Sequence, residues 1–384
     1  MKVYKNQNVF QAALDRIRWI FSEFPNPVVA VSGGKDSTVV FQLSMLVAEE
    51  LGRLPLKVFF LDQEAEWQAT VDMVKSIMYD ERVEPYWVQA PLVLFNATSS
   101  TDQWLKCWDE SKKDIWVHPQ DPISIKENHT GEKRFAKLFD ALMEYHFDGI
   151  KTCLIGGMRT EETPKRFLSL TNKAIYNGRT YGKRLSRRQE HYTFYPIYDW
   201  SFSDVWKSIL DNEWEYNRLY DAQYRYGIQV RNMRVSNVHH ETAVRQLFYM
   251  QEIEPETHNR LTKRLAGIDM ATKFGEDDYG VVDELPFMFE TWREYRDYLL
   301  EHLVLDDEYK KHFLKHFKYA DEIFGEDLGD RKYKVAIQGI LRNDWEGIML
   351  ENLRLNPKYI PIQKKNRALR DKAREEAKNG LQIT

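Results

Sequence analysis

The apolar run Pro27-Val28-Val29-Ala30-Val31 leads directly into Ser32-Gly33-Gly34-Lys35-Asp36-Ser37, and a helix-patterned segment follows at once. No other feature of the 384 residues restricts the fold as strongly. A wholly apolar run of this length reads as a strand buried on both faces. The two glycines let the backbone turn tightly and approach a ligand. The helix behind them offers unpaired N–H groups and the positive end of its dipole to an anion. Ser32, Ser37 and Thr38 add hydroxyl groups, and Lys35 adds a positive charge. The G-x-x-x-x-G-K-[ST] spacing of a Walker loop is absent. Asp36 admits two readings: a carboxylate favoured by the helix dipole, which we prefer, or part of a Mg²⁺ shell that neutralises the site.

Around this loop the first half of the chain alternates strand-like and helix-like segments. Val9 to Phe24 carries apolar residues at helical spacing, Asp36 to Leu51 reads as a helix ended by Gly52, and Leu56 to Leu61 is a second buried strand. Ala65 to Tyr79 is helical, Glu84 to Gln89 is β-rich, Arg134 to Phe147 is an amphipathic helix, and Cys153 to Ile155 heads another buried strand. This rhythm predicts an α/β fold, a parallel twisted sheet with helices on both faces. From about Ser201 the pattern turns helical and polar. The expected division is therefore an α/β domain over residues 1–206, which carries the anion-binding loop, and a mostly helical region over 207–384 whose function stays unassigned. The polar tail Gln363 to Asn379 reads as a solvated helix or frayed end.

Three further segments stand where loops should leave the sheet. Phe60-Leu61-Asp62-Gln63-Glu64-Ala65-Glu66-Trp67 ends the second strand, and ligands of open α/β sheets bind outside the carboxyl ends of strands. Asp62 and Glu66 are candidates for contact with a ribose, and Asp62 also for a metal. Gly156-Gly157-Met158-Arg159-Thr160-Glu161-Glu162-Thr163-Pro164-Lys165-Arg166 follows another buried strand. Its glycines open the backbone, Arg159 can fork onto a phosphate or sulfate, and Glu162 can orient that arginine. Arg166 lies one or two turns further along. In Tyr195-Pro196-Ile197-Tyr198-Asp199-Trp200-Ser201-Phe202-Ser203-Asp204-Val205-Trp206, Ser201 or Ser203 can cap a helix with Asp204 in its first turn, an architectural role.

The SGGKDS segment resembles the PP-loop of the adenine nucleotide α-hydrolase superfamily, which includes ATP pyrophosphatases, the small subunit of ATP sulfurylase and phosphoadenosine phosphosulfate (PAPS) reductases. The resemblance implies a loop that holds pyrophosphate. The Asp62 segment is similar to the D-[TS]-G-x-x-F-x-E-T stretch of PAPS reductases, departing at Gln63, Glu64, Trp67 and Ala69 while Thr70 matches. The Arg159 segment resembles G-x-R-x-x-E-[ST]-x-x-R, and the Asp199 segment resembles P-[IL]-x-D-W-[TS]-x-x-D-V-W of the same proteins. Beyond them, Cys107-Trp108-Asp109, Trp116-Val117, and Arg234-Val235-Ser236-Asn237 running into His239-His240-Glu241 resemble the bacterial and phage branch grouped as PAPS sulfotransferases.

Absences narrow the chemistry. Two cysteines exclude a disulfide scaffold, an iron–sulfur cluster and an all-cysteine zinc site within one chain. The E-C-G-L-H nucleophile of thiol-dependent PAPS reductases is missing, since no cysteine follows Cys153. Cys153 reads as a core residue. Cys107 reads as part of an aromatic cluster, with activation by Lys106 as the rival. His118, His129 and the adjacent pair His239 and His240 have weak claims to a metal or acid–base role. A formal net charge of −4 argues against a basic nucleic-acid coat. Arg159 to Tyr192 nevertheless holds nine Lys/Arg against three Glu, with tyrosines interleaved, so the basic segment 165–191 could meet a nucleic acid or a partner protein. Within it, about 171–192 reads as a lid over the nucleotide. Met1 to Gln11 has no leader-like apolar core, and no run approaches the roughly 18 residues of a membrane span; a cytoplasmic protein is expected.

The leading functional expectation is an enzyme that binds ATP or a related adenylyl nucleotide, with Mg²⁺ inferred, and performs pyrophosphatase or adenylyl-transfer chemistry in sulfur or nucleotide metabolism. Lys35, Asp36 and Arg159 would be its catalytic groups. Ser32, Gly33, Gly34, Ser37, Thr38, Asp62, Glu66, Gly157, Glu162 and Arg166 would bind nucleotide, and Asp36 and Asp62 would be the metal candidates. A PAPS-dependent sulfotransferase or reductase using an external thiol is the second expectation. A nucleotide-binding, DNA-associated regulator without turnover is the third.

Overall fold

A computed structural model describes residues 6–96, 98–99, 104–186, 189–237, 246–269, 284–324, 329–342, 344, 347 and 350. The chain divides into two compact units, Met1–Leu94 with Trp104–Thr272, and Phe95–Gln103 with Lys273–Thr384. The division therefore falls far beyond the expected 206, because the helices that follow the sheet belong to the same compact body as the sheet.

In the first unit the strands are β1 (Asn26–Ala30), β2 (Leu56–Leu61), β3 (Val83–Val88), β4 (Leu92–Phe95), β5 (Trp104–Cys107), β6 (Thr152–Ile155), β7 (Gly182–Arg184) and β8 (His191–Phe194). Its helices are α1 (Val9–Glu23), α2 (Lys35–Glu50), α3 (Gln68–Met78), α4 (Phe135–His146), α5 (Pro164–Thr171), α6 (Phe202–Asp211), α7 (Leu219–Tyr226), α8 (Leu247–Ile253) and α9 (Pro255–Arg264). Six strands form one sheet in the order β3-β2-β1-β6-β8-β7. The first five are parallel, with Val29 beside both Val58 and Ile155, and β7 runs antiparallel along the edge. The ribbon β4–β5 pairs separately and was not foreseen from the sequence.

The continuous apolar runs of the central strands are explained by burial on both sides. Val29, Val58, Phe60, Cys153 and Ile155 point into a core shared with Ile17, Ile20, Val39, Leu43, Val74 and Ile77 of α1, α2 and α3. On the other face Phe59 meets Phe139 of α4 edge-on at 5.2 Å. The expected two-faced α/β sheet is thus what forms.

The segment after β8 ties the fold together. Arg16 of α1 donates through Nη1 and Nη2 to the two oxygens of Asp199, 2.7 Å each, and through Nη1 to the Pro196 carbonyl at 2.7 Å. The guanidinium lies 4.8 Å from the Tyr198 ring centroid. The Trp200 indole N–H reaches the Val9 carbonyl at 3.0 Å. Ser201 and Asp204 form a reciprocal capping box at the start of α6, as their spacing predicts.

The basic segment expected as a lid is built differently. β7 adds to the sheet edge, Tyr181 stacks on Tyr198 at 5.0 Å, and Tyr176 packs on Tyr192 at 4.8 Å while its hydroxyl donates to Glu23. Arg179 sits 3.5 Å from the centroid of the Trp19 ring. The interleaved tyrosines are anchors for the sheet edge and α1, which is why this segment is not a free flap; residues 187 and 188 lie outside the described set.

In the second unit, three helices, Trp292–Leu303, Asp307–Phe324 and Gly329–Leu341, enclose Phe313, Phe317, Ile337 and Ile340. Buried Arg296 is held by Asp321 at 3.0 and 3.2 Å and lies 4.5 Å from the Phe317 ring centroid. The expected helical character of this region holds for its described residues. The tail Gln363 to Asn379 lies outside them. No helix among the described residues is long and apolar enough to cross a membrane.

Removing the Arg16 fork leaves Asp199 and the Pro196 carbonyl without their shared donor. Arg16→Ala is expected to cost on the order of 2 kcal/mol of stability, read as a lower midpoint in urea melts, while Arg16→Lys recovers only part of it because an ammonium cannot bridge both oxygens in the same plane.

Candidate functional site

Two strand ends build the site. β1 delivers the chain to Ser32–Gly34, and β6, its neighbour in the sheet, delivers it to Gly156–Arg159. Gly33 has φ +68°, a left-handed backbone that favours glycine, and a Cβ there would lie 2.7 Å from Thr70 Cγ2. Gly157 is required for a different reason: a Cβ would come within 2.8 Å of the Asp36 carbonyl carbon and of the Ser37 nitrogen. The second loop therefore rests directly on the backbone of the first turn of α2.

Within the first loop, Ser37 Oγ accepts from the Ser32 N–H at 3.1 Å and donates to the Gly34 carbonyl at 2.9 Å, and Thr38 Oγ1 donates to the same carbonyl at 3.0 Å. These hydroxyls set the turn. They spend their protons on the loop rather than projecting them outward. Gly34 is the N-cap of α2 and has no side chain to satisfy the helix's first N–H groups. The Lys35 N–H is met at 3.3 Å by the hydroxyl of Tyr220, and the Asn217 amide donates to the Gly33 carbonyl at 3.1 Å and to Thr70 Oγ1 at 3.0 Å.

Four cations surround this helix start. Lys35 Nζ lies 2.8 Å from Asp36 Oδ2, and Arg159 Nε donates to Asp36 Oδ1. Arg159 also donates through its backbone N–H to Glu162 Oε1 at 2.7 Å, and its Nη1 stands 3.4 Å from the Trp200 carbonyl. Arg166 pairs with Glu162. Burial lowers the affinity of the Arg166 guanidinium for its proton, and the nearby charges of Arg234 and Arg159 add to that effect. Arg234 belongs to the Arg234–Asn237 segment, whose Val235 would touch a Cβ placed on Gly34 at 3.3 Å. The structure thus brings Ser32, Gly33, Gly34, Lys35, Asp36, Ser37, Thr38, Gly157, Arg159, Glu162 and Arg166 together.

Asp62 and Glu66 behave otherwise. Asp62 is fully buried, receiving Trp87 Nε1 at 3.0 Å and Gln89 Nε2 at 2.9 Å on Oδ2, and the Glu64 N–H at 2.9 Å on Oδ1. His118 Nε2 stands 3.3 Å from Oδ1, an ion-pair contact outside hydrogen-bond angles. Burial works against the Asp62 charge, but His118 and the Trp87 N–H overcome it and hold the carboxyl below its ordinary value. Burial lowers the His118 imidazole and the Asp62 charge raises it, with a net rise. Glu64, at φ +63°, is clamped by Arg264 at 2.6 and 3.1 Å and by the Trp108 N–H at 2.7 Å. Glu66 is buried, lies beside the Asn237 amide, and is pushed up to about 8, first by burial and then by the Asp62 charge.

This arrangement changes two expectations. Asp62 has zero exposure, and its carboxylate is committed to internal donors rather than to the surface of the loop. The residues also do not fit a Mg²⁺ shell: the oxygens of Asp62 are turned to N–H donors, and those of Asp36 to Lys35 and Arg159. Asp36 stands in the first turn of α2, paired with Lys35 and Arg159. Cys107 and Cys153 are both buried, and burial pushes both thiols well above their ordinary value, so neither stands as a thiolate. His239 and His240 lie outside the described residues, and His129 is exposed beside Glu127.

Sequence reasoning missed Tyr220, Asn217, Arg234, Arg264 and Trp87. It quoted Arg234 only for a resemblance. The remaining four lack a local signal, since each acts on a partner 25 to 200 residues away.

Two outcomes follow. Gly157→Ala must separate the two loops, and about 1–3 kcal/mol of destabilisation is expected from the overpacking, visible in a thermal melt. For Glu66, the folded-state value of about 8 lies above the ordinary 4.5, so the folded state retains a proton that the unfolded chain releases. Its contribution is complete below pH about 4.5 and is lost as pH rises to about 8. Denaturant melts across that range should show stability falling in the parent relative to Glu66→Gln.

Comparison with known proteins adds the family. A model described as the phosphoadenosine phosphosulfate reductase domain matches residues 26–226, and one described as a domain of unknown function (DUF3440) matches residues 227–363. The chain is 26% identical over 314 residues to the YbdN protein of Escherichia coli strain K12, covering 78% of this chain and 77% of that one. It is 23% identical over 227 residues to the adenosine 5'-phosphosulfate reductase of Lysinibacillus sphaericus strain C3-41, covering 58% and 79%. Among solved structures, the phosphoadenylyl-sulfate reductase of Candida auris aligns over 62% of this chain and 98% of its own, at 15% identity and a TM-score of 0.35. With just over half of the chain matched from Asn26 to Tyr226, the protein belongs to the phosphoadenosine phosphosulfate reductase domain family.

Proposed function

We propose that this protein is an enzyme that binds an adenylyl nucleotide, ATP first among them, with its phosphates at the start of α2. It would act at the bond between the α phosphorus and its leaving group. The observation that carries the reading is the convergence of Lys35, Arg159, Arg166 and Arg234 on a glycine-capped helix N-terminus. A pyrophosphate that leaves gains negative charge, and fixed donors aimed at that charge lower the barrier because they need no reorganisation. In this reading the α2 N–H groups and Lys35 hold the leaving phosphates. Arg159 stabilises the transferring group, and Glu162 and the Trp200 carbonyl set the position of Arg159. Asp36 keeps both cations in place until the anion arrives. Tyr220 would yield the Lys35 N–H to a phosphate oxygen.

A second reading has its own support. The family to which the chain belongs is defined on phosphoadenosine phosphosulfate reductases, and both cysteines are buried with raised thiol values. A PAPS-dependent transfer would then require a thiol from another molecule, since the chain has no further cysteine. A nucleic-acid-associated regulator is less favoured, since the tyrosines and Arg179 of the basic segment are committed to the sheet edge and α1.

Lys35→Ala should weaken ATP at least tenfold, about 1.4 kcal/mol, and remove the rise in melting temperature that ATP produces in the parent. A variant that keeps the full ATP shift would overturn the assignment of the loop. Release of pyrophosphate from ATP separates the two enzyme readings, because transfer from PAPS liberates none.

A further inference from the structure

Away from the helix start, a cavity of about 420 Å³ opens between α9, the 3-10 helix Glu110–Ile115 and the loop that follows it. We propose that it is a second ligand site, for a small molecule that carries an oxyanion, a carboxylate or a phosphate monoester, on a flat apolar body. Neither the family match nor the nucleotide reading assigns it, and the proposal does not depend on that reading.

Three features of the lining define the ligand. The first is charge. Lys113, Lys126 and Arg260 line the cavity, and none of its eight described lining residues carries a carboxylate. Among the described residues Lys113 pairs with the exposed Glu110 at 2.6 Å and Arg260 with the exposed Glu256 at 3.9 Å. The Lys126 ammonium has no ion pair or hydrogen bond among the described residues. A concave surface with several cations and no acid of its own raises the local concentration of anions. A volume of this size is in the range of small-molecule sites.

The second feature is shape. Trp116, Val117 and Pro119 make an apolar wall. The Trp116 indole N–H is spent on the Asp109 carbonyl at 3.0 Å, so the ring offers only its π surface, and Lys113 already lies 5.4 Å from its centroid. Trp108 braces that ring edge-on at 5.4 Å. Only a narrow strip of this wall meets the cavity, with Trp116 9% and Val117 2% exposed, so the apolar body it can take is small and lies beside the Lys113 cation.

The third feature is rigidity. His118 lines the cavity and is 3% exposed, fixed by Asp62 behind it, by the Pro119 carbonyl at 3.2 Å from Nδ1, and by Trp108 at 5.2 Å. Gln120 donates to the Gln89 carbonyl at 2.7 Å, and Arg260 Nη1 to the Val117 carbonyl at 3.3 Å. The wall is therefore anchored to the buried Asp62 system, and little ordering remains to oppose binding.

The test uses the full chain and three probes: phenyl phosphate, benzoate and inorganic phosphate, each titrated by calorimetry and by quenching of tryptophan fluorescence. Phenyl phosphate or benzoate should bind, inorganic phosphate at least tenfold more weakly, and the better of the first two tells whether the natural group is phosphate or carboxylate. Lys126→Ala and Arg260→Ala should each weaken the bound probe about tenfold, with melting curves checked for retained folding. Because Lys126 is exposed, Lys126→Gln provides a second variant that removes the charge while keeping a polar side chain. Lys35→Ala should leave probe binding unchanged. Absence of binding by both aromatic probes overturns the proposal. So does binding that survives both cavity substitutions or disappears in Lys35→Ala, since the probe would then occupy the nucleotide loop.

Discussion

The glycine-capped start of α2 is the constraint about which the carboxyl edge of the sheet is arranged. Gly34 places no side chain against the first N–H groups of the helix, and Tyr220 meets the Lys35 N–H. The adjacent strand β6 then brings Gly157 onto the same turn, so close that only a hydrogen fits between it and the Asp36–Ser37 backbone. Arg159, two residues later, reaches Asp36 because that contact is so short. Charge balance follows from the same geometry. Asp36 stands at a positive helix end, between Lys35 and Arg159, and the three form one coupled unit rather than two separate ion pairs.

A second system supports the first from beneath. Asp62, Glu64 and Glu66 leave the end of β2 as three buried carboxyl groups, and each is settled by a different means. Asp62 is held below its ordinary value by His118 and the Trp87 N–H, Glu64 is gripped by the Arg264 fork and the Trp108 N–H, and Glu66 is pushed up to about 8. Burial is the larger reason that Glu66 is raised, and the charge of neighbouring Asp62 adds to it. The acidic segment that is similar to the D-[TS]-G-x-x-F-x-E-T stretch of PAPS reductases is built here into the interior. Its partners come from residues 87–118 and 237–264, which join the ribbon and the later helices to the sheet.

The helices after the sheet are consequently part of the site rather than an appendage to it. Tyr220 and Asn217 hold the loop, Arg234 and Val235 border it, and Glu254 accepts from the Gln68 and Ala69 N–H groups at 2.7 and 3.0 Å to cap α3. Residues from 227 onward lie beyond the reductase-domain match, so this part of the frame is supplied by the segment matched to the domain of unknown function.

Local pattern alone determined the alternation of buried strands and helices, the phosphate-type loop at Ser32–Ser37, the arginine loop at Gly156–Arg166 and the capping box at Ser201. In each case neighbours in sequence do the physical work: apolar runs, glycine turns and side chains three residues apart. Tertiary structure alone decided the rest. Asp62 looked like a ligand contact and became a buried anchor, because its donors Trp87, Gln89 and His118 are invisible to any window around it. The tyrosines of the basic segment looked like a mobile surface and became edge packing, because α1, more than 150 residues earlier, supplies their partners. The acceptance of Glu64 into the interior likewise rests on Arg264, 200 residues away. A buried charge is tolerable only with a partner, and a partner that distant in sequence is brought in by the fold.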